Sequence, residues 1–114
     1  MKLGEIGEKL SADLLKKQGF RIVAAGWRCE LGEIDLIVMR KGALYFVEVK
    51  SRSSLKFGRP AEAVNIAKQR KIRQVAEYFL QQNHFSGEIW LAVMEVLYDK
   101  DSCKYYTNFI PSAF

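Results

Sequence analysis

Two runs of this chain, 33–39 and 43–50, are apolar at both odd and even positions and are joined by the turn signal Arg40-Lys41-Gly42. Successive side chains of a strand point to opposite faces. Ile34, Leu36 and Val38 therefore oppose Ile37 and Met39, and Tyr45, Val47 and Val49 oppose Leu44 and Phe46. Strands apolar on both faces belong in the middle of a sheet that is covered on both sides. The covering layers are legible in the flanking sequence. Leu3, Ile6, Leu10 and Leu14 recur at helical spacing, which predicts an amphipathic helix over 2–18, ended by Gly19. Residues 20–28 read as a strand.

A polar loop with Ser51, Ser53, Ser54 and Gly58 follows the apolar pair, and Pro60 then stands where a first helical residue should, with Glu62 in the first turn. A second helix is expected from there to about Gln82, burying Ile72, Val75, Ala76, Phe79 and Leu80. Residues 89–98 read as a late strand and 105–110 as a last one. This order predicts an α/β fold with a mixed sheet flanked by helices. At 114 residues and 49% apolar content, one domain over 1–114 is expected. The N-terminus lacks the apolar run of a signal peptide and no stretch is long enough to span a bilayer, so a cytoplasmic protein without a membrane partner is expected. Cys29 and Cys103 lack the spacing of a zinc or redox motif and read as structural.

The charge is concentrated. Residues 50–73 carry Lys50, Arg52, Lys56, Arg59, Lys68, Arg70, Lys71 and Arg73 against the single acid Glu62, a net +7 in a chain whose total is +5. Such a segment suits a phosphate-bearing partner, and a solvated basic helix is the plainer alternative.

Chemistry enters at the ends of the two apolar strands. Glu48 and Lys50 share a face, as do Glu33 and Asp35. If the hairpin loop is the two residues Lys41-Gly42, Arg40 pairs with Ala43, Asp35 lies opposite Glu48, and Glu33 lies opposite Lys50, the partner expected for it. A three-residue loop would place Asp35 opposite Val47 and scatter the group. Carboxylates among apolar neighbours are costly to desolvate unless they are paired or bind a cation. Mg²⁺ suits Asp35 and Glu48, because it is commonly held by one or two carboxylates together with phosphates and waters. The reaction such an arrangement serves is phosphodiester hydrolysis, with Lys50 stabilising charge on the phosphoryl oxygens. A structural ion pair between Glu48 and a nearby base is the alternative.

Four blocks carry a further signal: Gly7-Glu8, Gly32-Glu33-Ile34-Asp35-Leu36-Ile37, Phe46-Val47-Glu48-Val49-Lys50-Ser51-Arg52 and Phe57-Gly58-Arg59-Pro60-Ala61-Glu62-Ala63-Val64. In combination they resemble the YraN-type family of bacterial predicted endonucleases, over nearly the whole chain. The resemblance implies a restriction-endonuclease-like fold whose PD-(D/E)XK motif falls on Asp35 and Glu48-Val49-Lys50. Within that fold the chain is similar to archaeal Holliday-junction resolvases, whose helix glutamate corresponds to Glu8. The implied activity is a Mg²⁺-dependent endonuclease, with Mn²⁺ as substitute, acting on structured or branched DNA, with Asp35, Glu48 and Glu8 at the metal; a homodimer is compatible with it. Two positions depart from the family pattern: Gly26 stands where Asn usually precedes Trp27-Arg28, and no acid enters the late strand near Trp90-Leu91.

The remaining basic residues, Arg52, Lys56, Arg59, Lys68, Lys71 and Arg73, are expected to contact nucleic acid, with Lys68 and Lys71 at the site's entrance. Trp27 and Trp90 read as packing residues and His84 as a C-terminal helix residue. Two non-enzymatic readings stay open, a nucleic-acid-binding module on a nuclease fold and an adaptor for an acidic protein.

Overall fold

The structure is a computed structural model that describes residues 1–56 and 58–114, so Phe57 of the fourth block lies outside the described residues. Its elements are α1 (Leu3–Lys17), β1 (Arg21–Cys29), β2 (Gly32–Arg40), β3 (Ala43–Arg52), a single 3-10 turn (Pro60–Ala63), α2 (Ile66–Asn83), β4 (Glu88–Asp99) and β5 (Lys104–Ile110). The strands form one mixed sheet in the order β1-β2-β3-β4-β5. Only β3 and β4 are parallel, because α2 carries the chain back across the sheet between them.

The hairpin loop is the two-residue one. Lys41 and Gly42 have φ of 52° and 77°, the left-handed pair that matches the strands' twist, and Arg40 faces Ala43. The helices cover opposite faces. Leu15 of α1 packs with Leu36, Val38, Val47, Val49, Ala92, Met94 and Val96. Val75, Ala76 and Phe79 of α2 pack with Ile37, Leu44 and Phe46. Trp27 joins this second layer edge-on to Phe79, with ring centroids 5.2 Å apart, whereas Trp90 is 36% exposed and lines the wall of a separate groove.

Two details differ from the pattern read in the sequence. The helix expected from Pro60 is broken: Asn65 leaves helical geometry and accepts a hydrogen bond from the Lys68 amide at 3.0 Å, capping a new helix. An Asn side chain that satisfies a free amide in this way competes with continuation of the preceding turn. The second difference is in β2, where Ile34 lies in the α2 layer although Leu36 and Val38 lie in the α1 layer. Opposite it, Gly26 has φ of 63° and the pairing passes from Ala25↔Leu36 to Trp27↔Ile34, with Asp35 left out. A left-handed residue is required there, and Gly and Asn are the two residues that adopt it most readily. The Gly26 departure therefore preserves the left-handed backbone there, while the register shift of β1 lies earlier, between Ile22 and Ala24.

α1 meets β3 at Gly7. A Cβ at this position would collide with the Ser51 hydroxyl oxygen, which is buried without a hydrogen-bond partner among the described residues. Helix propensity alone favours Ala over Gly by about 1 kcal/mol. Overpacking a tight contact costs about 1–3 kcal/mol, so the collision decides the sign. Gly7→Ala should lower the midpoint of denaturant unfolding. Ser51→Ala should be neutral or stabilising, and the double variant should recover most of the loss; additive effects would show that the two residues do not press on each other.

Candidate functional site

The β2–β3 ladder ends at Leu36↔Val47, and the next acceptor is a side chain: Asp35 Oδ2 takes the Val49 amide hydrogen at 2.8 Å. The strands part there, so the carboxyl of Asp35 reaches into the gap next to Glu48, and both line one cleft. The register expected from the two-residue turn thus brings the pair together. Glu8, one residue past the Gly7 contact on α1, comes near enough to Asp35 for that residue's charge to act on its carboxyl.

The four-charge cluster is not formed as expected. Glu33 lines the same cleft, but its carboxylate pairs with Arg28 at 2.7 Å and not with Lys50. β1 carries Arg28 directly opposite Glu33, an across-strand position nearer than any side chain of β3. Both partners are substantially exposed, so the pair contributes about 0–1 kcal/mol and does not shape the cleft. Lys50 Nζ instead lies 3.8 Å from Glu48 Oε1.

The cleft has a volume of about 190 Å³ and is lined by Glu33, Asp35, Glu48, Lys68, Lys71 and Ile72. Burial is the main reason that the Glu48 carboxyl is pushed up to about 8; its hydrogen bond with Asp35 and that residue's charge add to the effect, while Lys50 and Lys68 oppose it. The Glu8 carboxyl is raised by burial and then by the charges of Asp35 and Glu33. Burial lowers the Lys50 ammonium, as does the neighbouring Lys68 ammonium. At neutral pH the Glu48–Lys50 contact is therefore a weak ion pair at most, since Glu48 largely keeps its proton.

Among the described residues, no group of three or more His, Cys, Asp or Glu side chains is placed to hold a metal ion. Asp35 and Glu48 stand as a two-carboxylate set. Glu8, expected as a third ligand, comes near Asp35 from α1, in the layer opposite α2.

Of the basic residues, Lys68 and Lys71 face the cleft as expected. Arg59 and Arg73 do not. The guanidinium of Arg73 lies 5.7 Å from the Phe114 ring, bordering a separate groove on the outer side of α2. Arg59 is engaged by a residue that sequence reasoning missed, Glu95. Its Nη2 is 2.7 Å from Glu95 Oε1, which also accepts from Asn108 Nδ2 at 3.0 Å, while Oε2 accepts from the Ala61 amide at 3.0 Å. Burial alone would raise the Glu95 carboxyl, but the hydrogen bonds from Asn108, Arg59 and Ala61 outweigh it and hold the group below the usual carboxylate range. Glu95 thus fastens the loop before α2 to β4. The available signal was an acid inside the apolar run 89–98, which is costly to bury unless partnered. Arg52 ends β3 opposite Leu97, and Lys56 lies exposed in the loop, its amide hydrogen bonded to Ser54 Oγ at 3.1 Å.

The model of the uncharacterised protein family UPF0102 matches residues 7–100, a span that contains the cleft, Glu8 and Glu95. The chain belongs to the UPF0102 family. It is 44% identical over 115 residues to a UPF0102 protein from Caldicellulosiruptor bescii, covering 98% of this chain and 96% of the relative. A UPF0102 protein from Alkaliphilus oremlandii is 44% identical over 117 residues, with 99% and 97% coverage. One from Clostridium perfringens is 42% identical over 113 residues, with 98% and 93% coverage. The family's YraN-type blocks thus fall on the two strands and the helix start that build the cleft.

Glu48 binds its proton more tightly in the folded protein than in the unfolded chain, whose carboxyl titrates near 4.5. Between pH 4.5 and about 8 the folded state therefore holds the extra proton, and stability falls as pH rises through that window. Glu8 acts in the same direction. In chelator-containing buffer, denaturant unfolding should give a free energy that declines from pH 5 toward pH 8, with a clearly shallower decline in Glu48→Gln. An identical slope in the variant would mean that Glu48 is ionised throughout.

Proposed function

We propose that the chain is a Mg²⁺-dependent phosphodiesterase, an endonuclease of PD-(D/E)XK type that acts in the cytoplasm on structured or branched DNA. The observation that carries the reading is the Asp35–Glu48 pair. Both carboxyls line one partly buried cleft, with Asp35 fixed by the Val49 amide, where a hard cation would serve both oxygen sets. Mg²⁺ needs no third carboxylate, since phosphate and water oxygens complete its shell, so the donors present fit it, with Mn²⁺ as substitute. When bound, the cation would supply Lewis acidity and a more acidic water.

The chain's own residues supply the rest. Asp35 is fixed by the Val49 amide, so its free oxygen is oriented before any ligand arrives. In the hydrolysis, a water oxygen bonds to phosphorus, the bond from phosphorus to the leaving sugar oxygen breaks, and that oxygen takes up a proton. Lys50 stands next to Glu48 and stabilises the charge that grows on the non-bridging oxygens. The divergence of β2 from β3 at an acid, with acid-x-Lys on the neighbouring strand, supports the restriction-endonuclease-like reading. A helix acid near Asp35 supports the likeness to Holliday-junction resolvases.

Calorimetric titration with Mn²⁺ should show binding in the wild type that is lost in Asp35→Asn and in Glu48→Gln. Lys50→Met should retain Mn²⁺ binding and lose about two orders of magnitude or more in cleavage of flap or four-way DNA. Wild-type protein free of contaminating nucleases that binds these DNAs and cuts none of them would replace the enzyme with the binding module.

Binding itself should be salt-sensitive, through the lysines that face the cleft. Replacing Lys68 and Lys71 together by Ala should flatten the plot of log affinity against log salt for duplex DNA by roughly 2, at about 0.9 per phosphate contact. Arg73→Ala, on the far side of α2, should leave the slope unchanged; a loss there would move the DNA path to the outer groove.

A further inference from the structure

We propose that Lys68 is a second catalytic lysine, which reaches from the first turn of α2 to form, with Lys50, a two-point clamp on the scissile phosphate across the cleft from Asp35 and Glu48. The inference rests on the phosphodiesterase reading and gives Lys68 a task different from general backbone binding.

The geometry is built from two elements. Lys50 comes from β3, and Lys68 is the third residue of α2, its backbone fixed by the hydrogen bond from its amide to Asn65 Oδ1 at 3.0 Å. The Lys68 side chain lines the cleft together with Asp35 and Glu48. Lys50 Nζ lies 3.8 Å from Glu48 Oε1, so the two lysines approach the same carboxyl from two elements. Two like charges converge here on one partially buried spot. Glu48 is shared between the two lysines and stands beside Asp35, the acid that would hold a cation with it. A phosphodiester brings the missing negative charge on two non-bridging oxygens, and hydrolysis increases that charge. The N-terminus of α2, an 18-residue helix, adds its positive end at the same point.

Lys71 is placed differently although it borders the same cleft. Its side chain lies over Gly32, where an added Cβ would stand 3.4 Å from Lys71 Cε, so it is turned toward the β1–β2 hairpin. Lys68 is therefore the α2 lysine that shares the reacting phosphate with Lys50. Its position depends on Asn65, which ends the preceding turn and starts the helix at the residue needed to bring Lys68 inward.

Two measurements test the clamp, one independent of cleavage. Inorganic phosphate, titrated in the presence of Mg²⁺ and followed by ³¹P line broadening, should bind wild type; Lys68→Gln and Lys50→Met should each weaken it about tenfold or more, whereas Lys16→Gln on the last turn of α1 should not. In single-turnover cleavage at saturating enzyme, where loss of affinity no longer matters, Lys68→Gln should slow the reaction roughly ten- to a hundredfold and Lys68→Arg should restore part of it. Phosphate binding by Lys68→Gln equal to wild type, or no phosphate binding by wild type, overturns the clamp. So does an unchanged single-turnover rate in Lys68→Gln when Lys50→Met is inactive, an outcome that leaves the phosphodiesterase reading standing. If wild type cuts no DNA yet loses phosphate on Lys68→Gln, the phosphodiesterase reading fails and the two lysines stand as an anion site.

Discussion

The hydrogen bond from the Val49 amide to the Asp35 carboxylate is the point on which the architecture turns. Up to Leu36↔Val47 the two central strands satisfy one another with backbone groups alone. One residue further, a side chain takes over the role of a carbonyl. Because Asp35 satisfies the amide, the strands can separate without leaving Val49 unpaired in the interior, and the opening that results admits Glu8 from one layer and Lys68 from the other. The left-handed turn of the backbone at Gly26 completes the arrangement, because Asp35 has no partner in the β1 ladder between Ala25↔Leu36 and Trp27↔Ile34. A polar cleft in a sheet apolar on both faces therefore needs one acid that serves as backbone and as side chain at once.

The buried acids divide the work. Glu95, beside Lys50 in the parallel ladder, is fully engaged by Arg59, Asn108 and the Ala61 amide, so it makes no further demand on the lysine. Glu48 is left short of partners, and its carboxyl responds by holding a proton. A satisfied carboxylate and an unsatisfied one thus stand on adjacent strands, and the contrast separates a structural acid from one with chemistry to perform.

Most of the fold was legible because periodicity reports burial. The apolar alternation of the central hairpin, the Lys41-Gly42 turn and the stripe of α1 each depend on neighbours close in sequence, and the hairpin register was enough to bring Asp35 to Glu48. What escaped depended on contacts between distant segments. The partner of Glu33 is Arg28 because β1 pairs along the outer edge of β2 and sets Arg28 directly opposite it, and the break at Asn65 arises from a cap competing with a helix that begins acceptably at Pro60. Arg59 looked like a loop cation free to follow a phosphate backbone. Its engagement requires Glu95, 36 residues away, to be brought beneath it by the crossover through α2. The charge count of the basic segment was read correctly, but its division into lysines facing the cleft and arginines facing elsewhere is a property of helix rotation and of the tertiary contacts around it.

The close approach of α1 to β3 at Gly7 also has a mechanical side. With no side chain at Gly7, the helix bears on the strand there through the Ser51 hydroxyl. A rod pressed against a plate at one point pivots there. Glu8 sits one residue from the pivot, about 1.5 Å along the axis, whereas Leu15 and the helix end at Lys17 lie on a long arm beyond it. Repacking around Leu15 or Phe20, by drift or by design, would swing that arm while displacing Glu8 very little. The far half of the helix can thus change its packing freely while the acid at the cleft keeps its aim.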